Sequence, residues 1–304
     1  MRARQRGVAV VLAMGVVALA AMAATALVVT QSAWSRLSEL GADRVQAQLV
    51  LRAGVDWARA VLSDDRRTSV VDHLGEPWAL RLPPLPVDNG KLAGYIEDQQ
   101  GAFNLNNLVS EGKVVLTQLR YFRRLLAILE LPVDLADALA DWLDADSEPQ
   151  PRGGAEDRYY LGLERPYLAA NRPLVDVAEL ALVRGFDMNA YARLRPFVTA
   201  LPRPTAVNVN TATPEVLAAI ASGLSLDGAR ALVAQRQRVY FRDKADFLAR
   251  LPAGATGNLD DIAVASAYFM ATMRVTIGGA EAGGTALLAR EDGRWPVVVW
   301  RKLP

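Results

Sequence analysis

Apolar residues fill the chain from Val8 to Val29 without a charge, and Thr25 is the one polar side chain among those 22 positions. Wound as a helix, that run is ~33 Å long, enough to cross a hydrocarbon core of ~30 Å. Beyond it the pattern turns amphipathic. Leu37, Leu40, Val45, Leu49, Ala53, Trp57 and Val61 recur every three to five residues, with Arg36, Asp43, Arg44, Arg52 and Arg59 between them. The pattern predicts one continuous helix over residues 8–62, with 8–29 in the membrane. Trp34 and Trp57 read as packing residues, one near the membrane interface and one on the helix face.

Alternation then takes over. Trp78 to Leu82 and Lys91 to Asp98 read as strands, with the stretch from Pro83 to Gly90 supplying the turn between them. Three more strand-like runs close the chain, at 268–277, 285–290 and 295–300, punctuated by Gly278-Gly279 and Asp292-Gly293. Everything from about Phe103 to Ile262 reads helical and holds a weak repeat. Phe103-Asn104-Leu105-Asn106 parallels Val207-Asn208-Val209-Asn210, residues 132–139 parallel 225–232, and 176–180 parallel 243–247. Each copy has the look of a helix-hairpin-helix, or SAM-like, unit, and its asparagines read as helix caps and turns. The expected fold is α+β: an antiparallel sheet from residues 63–102 and 263–304, interrupted by a helical domain at 103–262.

Composition removes several function classes. There is no cysteine and a single histidine, His73, so thiolate zinc sites, disulfides and cysteine nucleophiles are excluded. Lys plus Arg (34) nearly cancels Asp plus Glu (33), which predicts no general attraction to nucleic acid. The second repeat is locally basic through Arg230, Arg236, Arg238 and Arg242. A membrane-anchored helix-hairpin-helix DNA-binding protein is therefore the alternative reading. Against it, Ser225 stands where a phosphate-binding hairpin has its second glycine, and Asp227 follows. No nucleophile, phosphate loop or cofactor motif points to an enzyme, and His73 reads as a turn residue at a strand entry.

Residues 1–7 carry three arginines and end in Gly7, which predicts that the N-terminus stays cytoplasmic and the bulk lies outside. Ala20 to Ala24 could imitate a secretory cleavage site. A basic leader ending in glycine, then an apolar half-helix, then an amphipathic one, resembles the class III signal of type IV pilins and pseudopilins. That resemblance implies a seven-residue leader, cleavage by a prepilin peptidase between Gly7 and Val8, and methylation of the new N-terminus. Most members carry a glutamate at mature position five; here it is Leu12. Its absence, together with Asp72 to Trp78, Gly101 to Leu108 and Asp141 to Tyr160, resembles the protein K family of type II secretion minor pseudopilins. The resemblance implies a non-enzymatic subunit at the pseudopilus tip, anchored in the inner membrane by one span with its bulk in the periplasm. It also implies I-type and J-type minor pseudopilins as partners through the N-terminal helices.

The first repeat is lengthened by an acidic insertion. Six carboxylates fall between Asp141 and Asp157, and like charges this dense need a counter-cation to fold compactly. Oxygen-only ligands suit Ca²⁺ better than zinc or copper. Asp144, Asp146 and Glu148 open like an EF-hand, but no glycine follows at the sixth position and the late glutamate falls one place too far. The insertion resembles that of protein K, whose members bind calcium. The expected ligands are Asp144, Asp146, Glu156 and Asp157, with Glu148 and Asn171 as secondary ones.

Overall fold

The computed structural model describes residues 3–291 and 294–303; the start of the leader and the expected Asp292-Gly293 turn lie outside the described residues. The first element is a single helix, α1 (Ala3–Thr68), which runs past the expected end at residue 62. From Gly7 onward its first half is exposed on all sides, and it is long and apolar enough to cross a membrane. The second half presents Ala47, Leu51, Val55, Ala58 and Leu62 to the sheet, all buried. The stripe expected from periodicity is a different one: Val45, Leu49 and Trp57 stay exposed. This half of α1 is apolar on two faces, and only one is filled by the chain itself. Asp43 fixes α1 at the far end of the sheet, its carboxylate accepting from Gly279 N–H at 3.0 Å.

Two strands follow, β1 (Leu82–Val87) and β2 (Gly90–Asp98). Here the expectation is corrected. Trp78 sits in a 3₁₀ turn, Pro77–Ala79, and the proline-rich stretch expected to turn is itself the strand. Proline is tolerated there because β1 is the sheet edge; the actual turn is Asp88-Asn89, with Asp88 at φ +38°.

Between β2 and the next strand of the sheet lies a unit with its own core, from Phe103 to Ile262. It is not wholly helical, as the sequence suggested, since short strand pairs close its parts. In chain order it contains β3 (Phe103–Asn104), β4 (Val109–Ser110), β5 (Lys113–Val114), α2 (Leu116–Ile128), α3 (Leu135–Leu143), α4 (Asp157–Tyr160), α5 (Met188–Leu194), β6 (Val198–Thr199), β7 (Val207–Asn208), α6 (Pro214–Ile220), α7 (Leu226–Arg236), α8 (Lys244–Ala249) and β8 (Ile262–Ala263). β3 pairs parallel with β6, and β7 pairs parallel with β8, so each repeat closes on itself.

The asparagines explain the repeat. Asn104 Oδ1 accepts from Asn106 N–H, and Asn208 Oδ1 accepts from Asn210 N–H. Asn106 then clamps both the N–H and the C=O of Leu174, while Asn210 clamps both groups of Phe241. These buried amides satisfy backbone groups that helix and sheet leave unpaired. The cap residues of the third block also correspond, Asp176 in a capping box and Asp243 accepting from Asp246 N–H.

The chain finally returns to the sheet as β9 (Tyr268–Ile277), β10 (Ala280–Ala289) and β11 (Val297–Lys302). The order is β1-β2-β9-β10-β11, all antiparallel.

Candidate metal centre

α3 starts the acidic site. Leu135, Ala136, Leu139, Ala140 and Leu143 pack into the core with Leu119, Phe122 and Leu126 of α2. The remaining face carries Asp137, Asp141 and Asp144 at helical spacing. Asp137 is paired with Arg123 at 2.5 Å. Asp141, fully buried, accepts from Gln150 N–H at 3.1 Å. Asp144 caps the helix, and the backbone turns extended at it. The loop leaves Asp144, passes the exposed Asp146, and returns at Glu156. Carboxylate oxygens of Asp144, Asp146 and Glu156 come within 4.8 Å of one another, with Asp144 and Glu156 buried.

Their environment is unusual. Neither oxygen of Asp144 and neither oxygen of Glu156 has a hydrogen-bond partner among the described residues. Burial first, then the neighbouring Asp146 and Asp141, pushes Asp144 up to about 7. Burial, then Asp141, Asp144 and Asp146, does the same to Glu156. Burial raises Asp141 to about 6 against the opposing hydrogen bonds from Gln150 and Ala155. Four buried, unpartnered carboxylate oxygens facing a third acid make an all-oxygen donor set of concentrated negative charge. That set fits a hard cation such as Ca²⁺.

The other expected ligands are used differently. Asp157 Oδ1 accepts from Ala169 N–H at 2.9 Å, holding the far side of the insertion. Glu148 is exposed and enters only through its N–H, which donates to Asp146. Asn171 adopts φ +45°, and its N–H donates to the carbonyl of Trp142 at 3.0 Å. Asp141 escaped the sequence-based ligand set, although its i, i+3 spacing from Asp144 was the available signal. Gly154 lets the loop close over it, since a Cβ there would lie 2.2 Å from Asp141 Oδ2.

A second acidic group behaves oppositely. Asp65, Asp72 and Glu76 are buried with oxygens equally close, but Arg290 already lies among them. Its guanidinium donates to Asp65 at 2.8 Å, to Asp72 at 2.6 Å and to the Ser266 carbonyl at 2.9 Å, and it stacks on Phe269. Glu76 accepts from His73 N–H and from Trp78 Nε1. His73 is a turn residue, its Nδ1 accepting from Gly75 N–H while the ring stacks on Tyr240. This node joins the end of α1 to the sheet and has its cation built in.

Three of the four arginines of the second repeat, all but the exposed Arg238, have partners within it. Arg236 is buried and donates to the Val209 carbonyl, Arg230 pairs with Asp227, and Arg242 approaches Asp246. Gly223, at φ +75°, is packed against Gly254, where a Cβ would meet the carbonyl oxygen at 2.5 Å, and Ser225 caps α7.

Residues 101–203 and 207–265 match two family models, both described as type II secretion system, protein K. The division between them falls between the two repeats. The chain is 42% identical over 294 residues to type II secretion system protein K of Pseudomonas aeruginosa, covering 91% of this chain and 86% of that one. It is 32% identical over 315 residues to the protein of the same name from Klebsiella pneumoniae, covering 98% and 96%. Among solved structures it resembles a chain of the GspK-GspI-GspJ complex of enterotoxigenic Escherichia coli. The TM-score is 0.75 at 28% identity, over 85% of this chain and 96% of that one.

Proposed function

Because the chain belongs to the type II secretion system protein K family, we propose that it is the minor pseudopilin at the pseudopilus tip, a non-catalytic subunit that helps start assembly and limits growth. The observation that carries this reading is the inserted unit with its own core between β2 and β9. A pilin-like sheet with one packed helix can repeat along a shaft; a second globular unit hung from its middle strands obstructs the next subunit. Leu12, where a shaft subunit presents a carboxylate to the subunit above, agrees with a place that has no neighbour above it. The partners are I-type and J-type pseudopilins, and the exposed stripe of α1 through Val45 and Leu49 gives their helices a surface. The arginines of residues 1–7 keep the N-terminus cytoplasmic, so the sheet and inserted unit lie in the periplasm.

The test is gold labelling of this chain on assembled pseudopili. Label at one end of each filament supports the tip; label along the shaft overturns it. Intact mass after coexpression with prepilin peptidase tests processing separately. Loss of residues 1–7, dependent on the peptidase, is the expected result, and a cut near Ala24 refutes it.

Asp144, Asp146 and Glu156 hold a calcium ion in this proposal, with Asp141 behind them fixing the loop through Gln150. The ion supplies the positive charge that the buried carboxylates lack. Its role is structural: it ties the end of α3 to the start of α4 and shapes the insertion. Thermal unfolding in calcium against chelator reads this directly. A midpoint indifferent to calcium sinks the assignment.

A further inference from the structure

The two edges of the five-stranded sheet are built differently. β1 carries Pro83, Pro84 and Pro86, which lack the N–H an added strand would use, and its register slips between Leu82 and Leu85. That edge is closed to pairing. β11 reads Val-Val-Val-Trp-Arg-Lys without a proline. It is paired on one side with β10, from Ala289↔Val297 to Thr285↔Lys302, and among the described residues no strand lies on its other side. Alternate amides and carbonyls of β11 therefore point outward on either side of Val299, the extra residue between Trp300↔Leu287 and Val298↔Leu288. Val297 is 54% exposed and Val299 39%. Arg59 donates to the Pro296 carbonyl at 2.7 Å, so the free row begins at Val297.

Charge selects the occupant. At the Val297 end Arg59 pairs with Asp56 at 2.7 Å, while Arg203 and Arg294 share Glu291 at 4.0 and 3.2 Å. At the other end Lys302 pairs with Asp176, a carboxylate also stabilised by Arg195. Arg301 is exposed and has no ion pair among the described residues. Cations therefore outnumber carboxylates two to one around this edge, in a chain whose net charge is only +1. Asp292, next in sequence to Glu291, evens the count at the Val297 end, so the excess belongs to Arg301, Lys302 and Arg195 against Asp176 at the other end. A second copy paired in register would bring the same cations against them. We propose that the β11 edge accepts an extended acidic segment of another polypeptide by strand addition. Backbone hydrogen bonds on either side of Val299 hold the segment, and a carboxylate near its end meets the basic cluster of Arg301, Lys302 and Arg195.

The experiment uses the full chain in detergent and a fluorescent peptide that alternates valine and threonine between terminal glutamates. Two controls replace the glutamates by lysines or alternate residues by proline. The acidic peptide is expected to bind saturably, with both controls weaker by about tenfold or more. Amide exchange should slow within 297–302 on binding. Arg301→Glu, at an exposed position without a partner, should weaken the acidic peptide by about fivefold at an unchanged unfolding midpoint. Equal binding of the proline control, or of a DNA oligonucleotide of the same charge, reduces the effect to general electrostatics and overturns strand addition. So does the absence of saturable binding up to about 1 mM.

Discussion

Replacing Arg290 by methionine removes one cation from a buried acidic node while keeping much of the apolar stem over Phe269. Asp65 would lose its ion-pair partner, and Asp72 would keep the N–H of Ser266. Breaking a buried pair from one side costs about 3–5 kcal/mol, and two stranded carboxylates place this variant near 4 kcal/mol. The route by which the fold can escape that cost is protonation. Neutralising a carboxyl whose unfolded pKa is 3.8 costs ~5 kcal/mol at pH 7.5 but only ~1.6 kcal/mol at pH 5. In the parent, burial first, then Glu76 and Asp72, already raises Asp65 to about 6; without Arg290 it moves higher. A raised folded-state pKa means that the folded form binds more protons, so stability is gained as pH falls and lost as pH rises through that value. The variant should therefore unfold about 10 °C below the parent at pH 7.5, and the gap should shrink to a few degrees at pH 5. Urea and thermal unfolding of the full chain, followed by tryptophan fluorescence at both pH values, measure this. A penalty under ~1 kcal/mol at pH 7.5, or one that does not shrink in acid, refutes the account.

The proposed calcium site makes its own pH prediction. With chelator present, Asp144 and Glu156 titrate near 7 against 3.8 and 4.5 unfolded, so this contribution makes the metal-free protein more stable at pH 6 than at pH 8. Calcium needs the deprotonated ligands, so its stabilisation should be larger at pH 8, as differential scanning calorimetry can show. Asp144→Asn combined with Glu156→Gln should abolish the calcium-dependent shift while leaving the chelated protein no less stable at pH 8. Gly154→Ala should weaken calcium binding by tenfold or more in titration calorimetry, because the new Cβ collides with Asp141 and with the Gln150 backbone. On α1, Leu51→Ala should cost about 2–5 kcal/mol, and the same change at Leu49 under about 0.5 kcal/mol, in urea unfolding of the isolated subunit.

That last pair marks where the sequence could be read and where it could not. The membrane run and the continuity of α1 follow from composition and period alone. Which of two apolar stripes the chain itself covers does not, since periodicity reports that a face wants burial and not what buries it. β1 was hidden for a similar reason. Three prolines forbid a central strand and allow an edge one, and edge position is a property of the whole sheet. The acidic insertion was legible as charge density. The division of labour within it was not: Asp157 and Asn171 carry loop-closing hydrogen bonds that depend on Ala169 and Trp142, twelve and twenty-nine positions away. The asparagine pairs of the repeats were visible as a pattern, whereas their clamping of Leu174 and Phe241 depends on how each repeat folds back.

The place of the inserted unit between β2 and β9 also orders events in time. These two strands are neighbours along their whole length, from Gly90↔Ile277 to Asp98↔Phe269. Closing a disordered loop on the order of 170 residues between them would cost about 4–5 kcal/mol in chain entropy before any contact formed. Once the inserted unit has folded, Gln99 N–H already reaches the Tyr268 carbonyl at 3.0 Å, and the same closure spans almost no free chain. The inserted unit thus acts as a folding template: its prior folding lowers the entropic cost of assembling the middle of the sheet. A lesion deep inside it, far from any strand, would surface first as a slow or missing sheet.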